Sequence, residues 1–106
     1  MRWRVEALDK TVEREIAALS DGLQADLMRI AELLQTHGPH LVGMLYVRPL
    51  GRKFWEMRLR DETGIARAIY VAATGRRLVI LHVFRKKTQE TPQQAIRLAL
   101  KRMERL

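Results

Sequence analysis

The sequence predicts an α+β fold: an antiparallel, mainly meander sheet with an N-terminal helical pair packed on it and a C-terminal helix, in the order β-α-α-β-β-β-β-α. Three observations carry this prediction. Apolar residues recur at helical spacing only before His37 and after Thr91. Between them, period-two runs are separated by Gly-containing turns. A short alternating segment precedes the first helix.

The opening segment sets Trp3, Val5 and Ala7 against Arg2, Arg4 and Glu6, which reads as a half-buried strand. Asp9 is placed to cap a helix carrying Val12, Ile16 and Leu19. Ser20, Asp21 and Gly22 break it. A second helix over about 23–35 presents Leu23, Leu27, Ile30, Leu33 and Leu34 as one stripe, and the two form an αα-hairpin laid on the sheet. His37-Gly38-Pro39-His40 ends the pair, because neither Gly nor Pro continues a helix.

The meander follows. Met44 to Pro49 reads as a strand, Gly51-Arg52-Lys53 as a turn, and Phe54 to Arg60 as the returning strand. Asp61-Glu62-Thr63-Gly64 turns again, Ile65 to Ala73 makes the next strand, and Thr74-Gly75 signals a tight hairpin into Leu78 to Phe84. That last strand is apolar on both faces, with Val79, Leu81 and Val83 on one and Leu78, Ile80 and Phe84 on the other, so it belongs inside the sheet. Thr91-Pro92-Gln93-Gln94 predicts a helix start, with Thr91 as cap, Pro92 in the first helical position and Gln94 completing a capping box. The helix then carries Ile96, Ala99, Leu100 and Met103 on one face.

A length of 106 residues fits a single domain spanning 1–106, and 47% apolar residues suffice for one hydrophobic core. No long apolar run suits a membrane span and no cationic-then-apolar leader opens the chain, so a soluble, cytoplasmic protein is expected. There are no cysteines, which excludes disulfides and thiolate metal sites. His37 and His40 straddle a Gly-Pro break and His82 stands apart, so no metal or other cofactor is expected.

Charge supplies the functional clue. The net charge is +8, yet residues 1–41 hold five basic and seven acidic side chains, and residues 42–106 hold fifteen basic and five acidic. A chain with one strongly cationic half concentrates polyanions, although such a surface also serves solubility or attracts an acidic protein. Glu56, Arg58 and Arg60 share one face of their strand, opposite Trp55, Met57 and Leu59. They read either as a solvated face with Glu56 paired to an arginine, or as part of a polyanion site flanked by Arg48 and Lys53.

Arg67 is a candidate phosphate clamp, and Tyr70 a candidate base-stacking residue or hydroxyl donor. Their spacing of three places them on opposite faces of a regular strand. His82 is either a hydrogen-bonded core residue or a proton carrier, and Arg85, Lys86 and Lys87 follow where the chain leaves the sheet. Metal-free RNA cleavage matches this residue set without being its only use. The 2′-hydroxyl is already in the substrate, arginines and lysines stabilise phosphate charge, and a lysine whose pKa is lowered by its cationic neighbours, a His or a Tyr moves the proton.

Taken together, Arg48-Pro49-Leu50, Trp55-Glu56-Met57-Arg58, Arg67-Ala68-Ile69-Tyr70, Leu81-His82-Val83-Phe84-Arg85-Lys86-Lys87-Thr88 and Thr91-Pro92 resemble the phage-derived HigB-like branch of the RelE/ParE toxin superfamily. The resemblance covers nearly the whole chain and is most specific from His82 through Pro92. It implies a RelE-like fold and a ribosome-dependent, metal-independent mRNA endonuclease that inhibits translation. It also implies neutralisation by a cognate helix-turn-helix antitoxin, through which alone the toxin would reach operator DNA. Catalytic residues carried over are Arg58, Arg67, His82, Lys86 and Lys87; Arg48, Lys53, Arg60, Tyr70 and Arg85 are expected to bind RNA. Relatives place a tyrosine or an Asp-Tyr-His cluster near the C-terminus. This chain has no tyrosine after Tyr70 and no histidine after His82, which leaves the general acid and base open. Two other readings stay in play: a non-catalytic, ParE-like inhibitor of DNA gyrase, and a decayed toxin that only binds its antitoxin.

Overall fold

The computed structural model describes residues 2–39, 42–43, 45–87 and 91–106. Its elements are β1 (Arg4–Ala7), α1 (Lys10–Ala17), α2 (Asp21–His37), β2 (Val47–Gly51), β3 (Phe54–Asp61), β4 (Gly64–Ala73), β5 (Arg77–Lys86) and α3 (Gln93–Met103). The expected order is thus realised. The five strands run β1-β5-β4-β3-β2 across the sheet. β1 lies parallel to β5, whereas β2 to β5 form an antiparallel meander.

The two N-terminal helices start where short polar side chains satisfy free backbone donors. Asp9 accepts from Val12 N–H and Ser20 from Leu23 N–H. Ser20, expected with Asp21 and Gly22 only to break the first helix, therefore opens α2, with Asp21 and Gly22 in its first turn. The Ser20 hydroxyl also donates to Asp61 Oδ2 at the end of β3, 2.5 Å away. The approach is so close there that a Cβ on Gly22 would lie 2.5 Å from the same oxygen. α3 begins differently from expectation. Pro92 occupies the cap position without a side-chain hydrogen bond, because the Thr91 hydroxyl is directed to Glu56 instead. The strand predicted over Met44 to Pro49 is shifted to Val47–Gly51, and Met44 lies outside the described residues.

The sheet separates two apolar layers. On one face α1 and α2 bury Val12, Leu23, Leu27, Ile30 and Leu34 against Met57, Leu59, Ala68, Tyr70, Leu78 and Ile80. On the other, Ala95 and Ala99 of α3 pack on Phe54, Ile69, Val71, Val79 and Leu81. β5 is an inner strand apolar on both faces, as its sequence predicted.

The alternation predicted for β5 fails at one place. Ile69 of β4 pairs with His82 and Tyr70 pairs with Ile80, so Leu81 is an extra residue in β5. Such a bulge reverses the side-chain faces beyond it. Val83 therefore joins Leu78 and Ile80 in the helical-pair core, while His82, Phe84 and Lys86 turn to the α3 face, opposite Ile69, Arg67 and Ile65.

Candidate active site

Beyond Ile69 and Leu81 the α3 face of the sheet changes from apolar to charged. Cross-strand partners share a face. The register sets Arg48 of β2 opposite Glu56 of β3, Arg58 of β3 opposite Arg67 of β4, and Arg60 and Lys86 at either side of Ile65. Arg48, Arg58, Arg67 and Lys86 thus share the field of one carboxylate, with Arg60 further along β3.

Glu56 is the centre of this group and is wholly withdrawn from solvent. Its Oε1 stands 3.5 Å from Arg67 Nε, and its Oε2 accepts the Thr91 hydroxyl. Arg67 is itself 2% exposed and donates from Nη1 to the Ala66 carbonyl at 2.9 Å. Burial pulls the Arg67 pKa below its ordinary value. Glu56 opposes this, and the charges of Arg58, Arg48 and Arg60 add to the lowering. Lys86 is buried as well. Desolvation and then Arg67 push its pKa down, Glu56 pulls it back, and Arg48 and Arg58 lower it further. Arg48, Arg58, Arg67 and Lys86 therefore act within one field, in which positive charge outweighs negative. A polyanion relieves that imbalance, and a lysine with a lowered pKa exchanges a proton more readily near neutrality than an ordinary one.

Not every predicted residue joins them. Tyr70 lies on the opposite face, 1% exposed in the helical-pair core. Its hydroxyl has no hydrogen-bond partner among the described residues, and burial raises its pKa far above the usual phenol range. It is corrected from an RNA contact to a core residue. Lys53 is not brought to the cluster either. It sits in the β2–β3 turn, bordering a recess with Leu8, Val71, Thr74 and Arg105 at the other end of the sheet. Arg85 pairs with Ala66, so its side chain belongs to the helical-pair face, where Nη2 donates to the Thr63 carbonyl at 2.8 Å. Lys87 follows β5 in an exposed bend.

His82 reaches the α3 face but is engaged at the sheet margin. Its Nδ1 lies 3.0 Å from Glu15 Oε1 of α1, and the same oxygen accepts Val83 N–H at 3.0 Å. Arg102 of α3 completes the network, with Nη2 2.9 Å from Glu15 Oε2 and Nη1 donating to the Leu81 carbonyl. Burial alone would raise the Glu15 pKa. Hydrogen bonds from Arg102, Val83 and His82 bring it below the ordinary carboxylate value. Glu15 and Arg102 carried no signal in the sequence, since they meet His82 only through tertiary packing. Thr91 was legible as a helix cap and serves as a Glu56 ligand. Among the described residues no group of three or more His, Asp or Glu is arranged to hold a metal, and no helix is long and apolar enough to cross a membrane.

The model of the phage-derived protein Gp49-like family matches residues 14–104, nearly the entire chain. The chain belongs to the Gp49-like family. Two solved structures place the Gp49-like fold. A mutant of the E. coli toxin RelE in the free state superposes with a TM-score of 0.70 at 12% identity, covering 97% of this chain and 99% of that one. The archaeal RelE–RelB complex from Pyrococcus horikoshii OT3 gives 0.58 at 21% identity, covering 80% and 96%. At such identities the likeness establishes the fold, and it is the RelE-like fold that the sequence resemblance implied. No curated protein matches the Gp49-like chain in sequence.

Proposed function

We propose that this Gp49-like chain is the toxin of a toxin–antitoxin pair and cleaves mRNA at the ribosome, with no metal ion in the reaction. The observation that carries the reading is the cation cluster of Arg48, Arg58, Arg67 and Lys86 around buried Glu56, with Arg60 beyond it, brought to one face of the sheet by the β2–β3–β4–β5 register. Arg48, Arg58 and Arg60, which are not buried, contact the RNA backbone and stabilise the charge that builds on the phosphorus oxygens. Arg67, buried against Glu56, contributes through its field. Lys86 takes the proton of the attacking 2′-hydroxyl; the 2′-oxygen–phosphorus bond forms as the phosphorus–5′-oxygen bond breaks, leaving a 2′,3′-cyclic phosphate, and water protonates the departing 5′-oxygen. A cognate antitoxin is the expected partner, consistent with a RelE–RelB complex among the structural neighbours. A helix-turn-helix antitoxin that carries the toxin to operator DNA follows from the family resemblance.

Induced expression without antitoxin tests this. Growth arrest with discrete cuts in translated mRNA is expected, and both should be lost in folded Arg58→Ala and Lys86→Ala variants. DNA damage signalling with intact mRNA would instead identify a gyrase inhibitor. One observation favours a binding-only protein: Tyr70 is buried on the wrong face and His82 is held by Glu15, so neither offers a proton to a leaving group at the cluster. That protein would bind antitoxin with no cut on programmed ribosomes.

A further inference from the structure

Beside the cation cluster lies a recess of about 500 Å³ lined by His82, Phe84, Pro92, Gln94, Ala95 and Leu98. We propose that it is a nucleobase subsite, in which a base flanking the cleaved phosphate stacks on Phe84. This rests on the RNA reading above and adds to it a specificity-determining pocket.

Four observations point there. The wall is apolar except for His82 and Gln94, as a base-sized platform requires. Phe84 shares its face with the cations, directly opposite Arg67, and Lys86 stands two residues further along β5, about 7 Å at the rise of a strand. A phosphate at the cluster therefore has the Phe84 ring within reach of its own nucleotide. The ring is also held in place. His82 stacks on it with centroids 5.0 Å apart and planes inclined by 24°, and Glu15 and Arg102 hold His82 in turn. His82 is thus a positioning residue for the platform. Finally, Gln94 is exposed at the start of α3 and borders the recess. Its amide both donates and accepts, which is the pattern needed to read the edge of a stacked base.

The bulge at Leu81 makes this arrangement. Without it Phe84 would face the helical-pair core, and neither platform nor Lys86 would stand beside Arg67.

Base–aromatic stacking is lost when the ring is removed, which corresponds to about a ten- to hundredfold weaker interaction. The experiment maps mRNA cuts and their rates in a translating extract for the full-length protein, Phe84→Leu, Phe84→Tyr and Gln94→Ala, with thermal unfolding of each. Phe84→Leu keeps an apolar filling and removes the π-face. The expected result is cutting reduced about ten- to hundredfold by Phe84→Leu at an unchanged unfolding midpoint, restored by Phe84→Tyr, and a broadened base preference beside the cut in Gln94→Ala. Phe84→Leu cutting at the parent rate and at the same sites overturns the subsite and leaves the nuclease reading standing. A parent protein that cuts nothing overturns both.

Discussion

Glu56 and Arg67 are diagonal neighbours on adjacent strands, with Oε1 and Nε 3.5 Å apart and both side chains almost wholly out of water. Burying two charges costs free energy that their attraction recovers only in part, and loss of one partner leaves the other uncompensated. The pair organises the site: it draws in Thr91 before α3 and sets the field that Lys86 experiences.

Glu56→Ala should destabilise the fold by about 3–5 kcal/mol, because it strands the buried Arg67 guanidinium. Glu56→Ala combined with Arg67→Met should recover most of that loss. Urea unfolding of the two single variants and the double variant measures the coupling. Equal stability of Glu56→Ala and the parent would remove the pair from the account.

Lys86 should impose a pH profile on cutting. Its lowered pKa means that the neutral, proton-accepting form grows as pH rises through a range below that of an ordinary lysine. Cutting should rise with pH and level off. Lys86→Arg, permanently charged, should lose that rise together with about 10²–10⁴-fold of the rate. A parent-like profile in Lys86→Arg would assign the proton transfer elsewhere.

Asp61 ties the end of β3 to the start of α2. Hydrogen bonds from Ser20 and Thr63 lower its pKa from 3.8 to about 2. A carboxylate with a depressed folded-state pKa binds its proton more readily when unfolded. Its stabilisation is therefore present above about pH 4 and is lost as pH falls towards 2. Asp61→Asn should be less stable than the parent at neutral pH, and the gap should narrow over that acidic window. A gap of constant size would mean that ionisation of Asp61 plays no part.

Tyr70→Phe tests the correction made at that residue. The buried hydroxyl has no partner among the described residues, so deleting it removes a desolvated polar group without breaking a bond. Stability should be unchanged or raised by up to about 1 kcal/mol, with cutting unaltered. A strong loss of cutting at full stability would return Tyr70 to the site.

Element order, the helix start at Asp9 and the two-sided core strand were legible because local patterns dictate them, whereas Ser20, read as a breaker, caps α2. Helical spacing, capping side chains and period-two alternation act over a few residues. The same reasoning separated Arg67 from Tyr70 and put Arg58 and Arg60 on one strand face beside Arg48, while Lys86 entered the site only through the family resemblance. It did not place Lys53 and Arg85, which lie away from that group. Each lies near the others in sequence, but the first is at the far end of its hairpin and the second one residue out of phase.

From the sequence alone came the α+β class and the charge asymmetry, which depend on short-range periodicity and composition, and the family resemblance, which rests on short residue motifs. Only tertiary structure decided which cations meet. The Leu81 bulge inverts β5 after Ile80, turning Phe84 and Lys86 towards Arg67, and α1 and α3 hold His82 through Glu15 and Arg102. A strand's side-chain phase depends on its partner's register, and register is a property of the assembled sheet rather than of one strand.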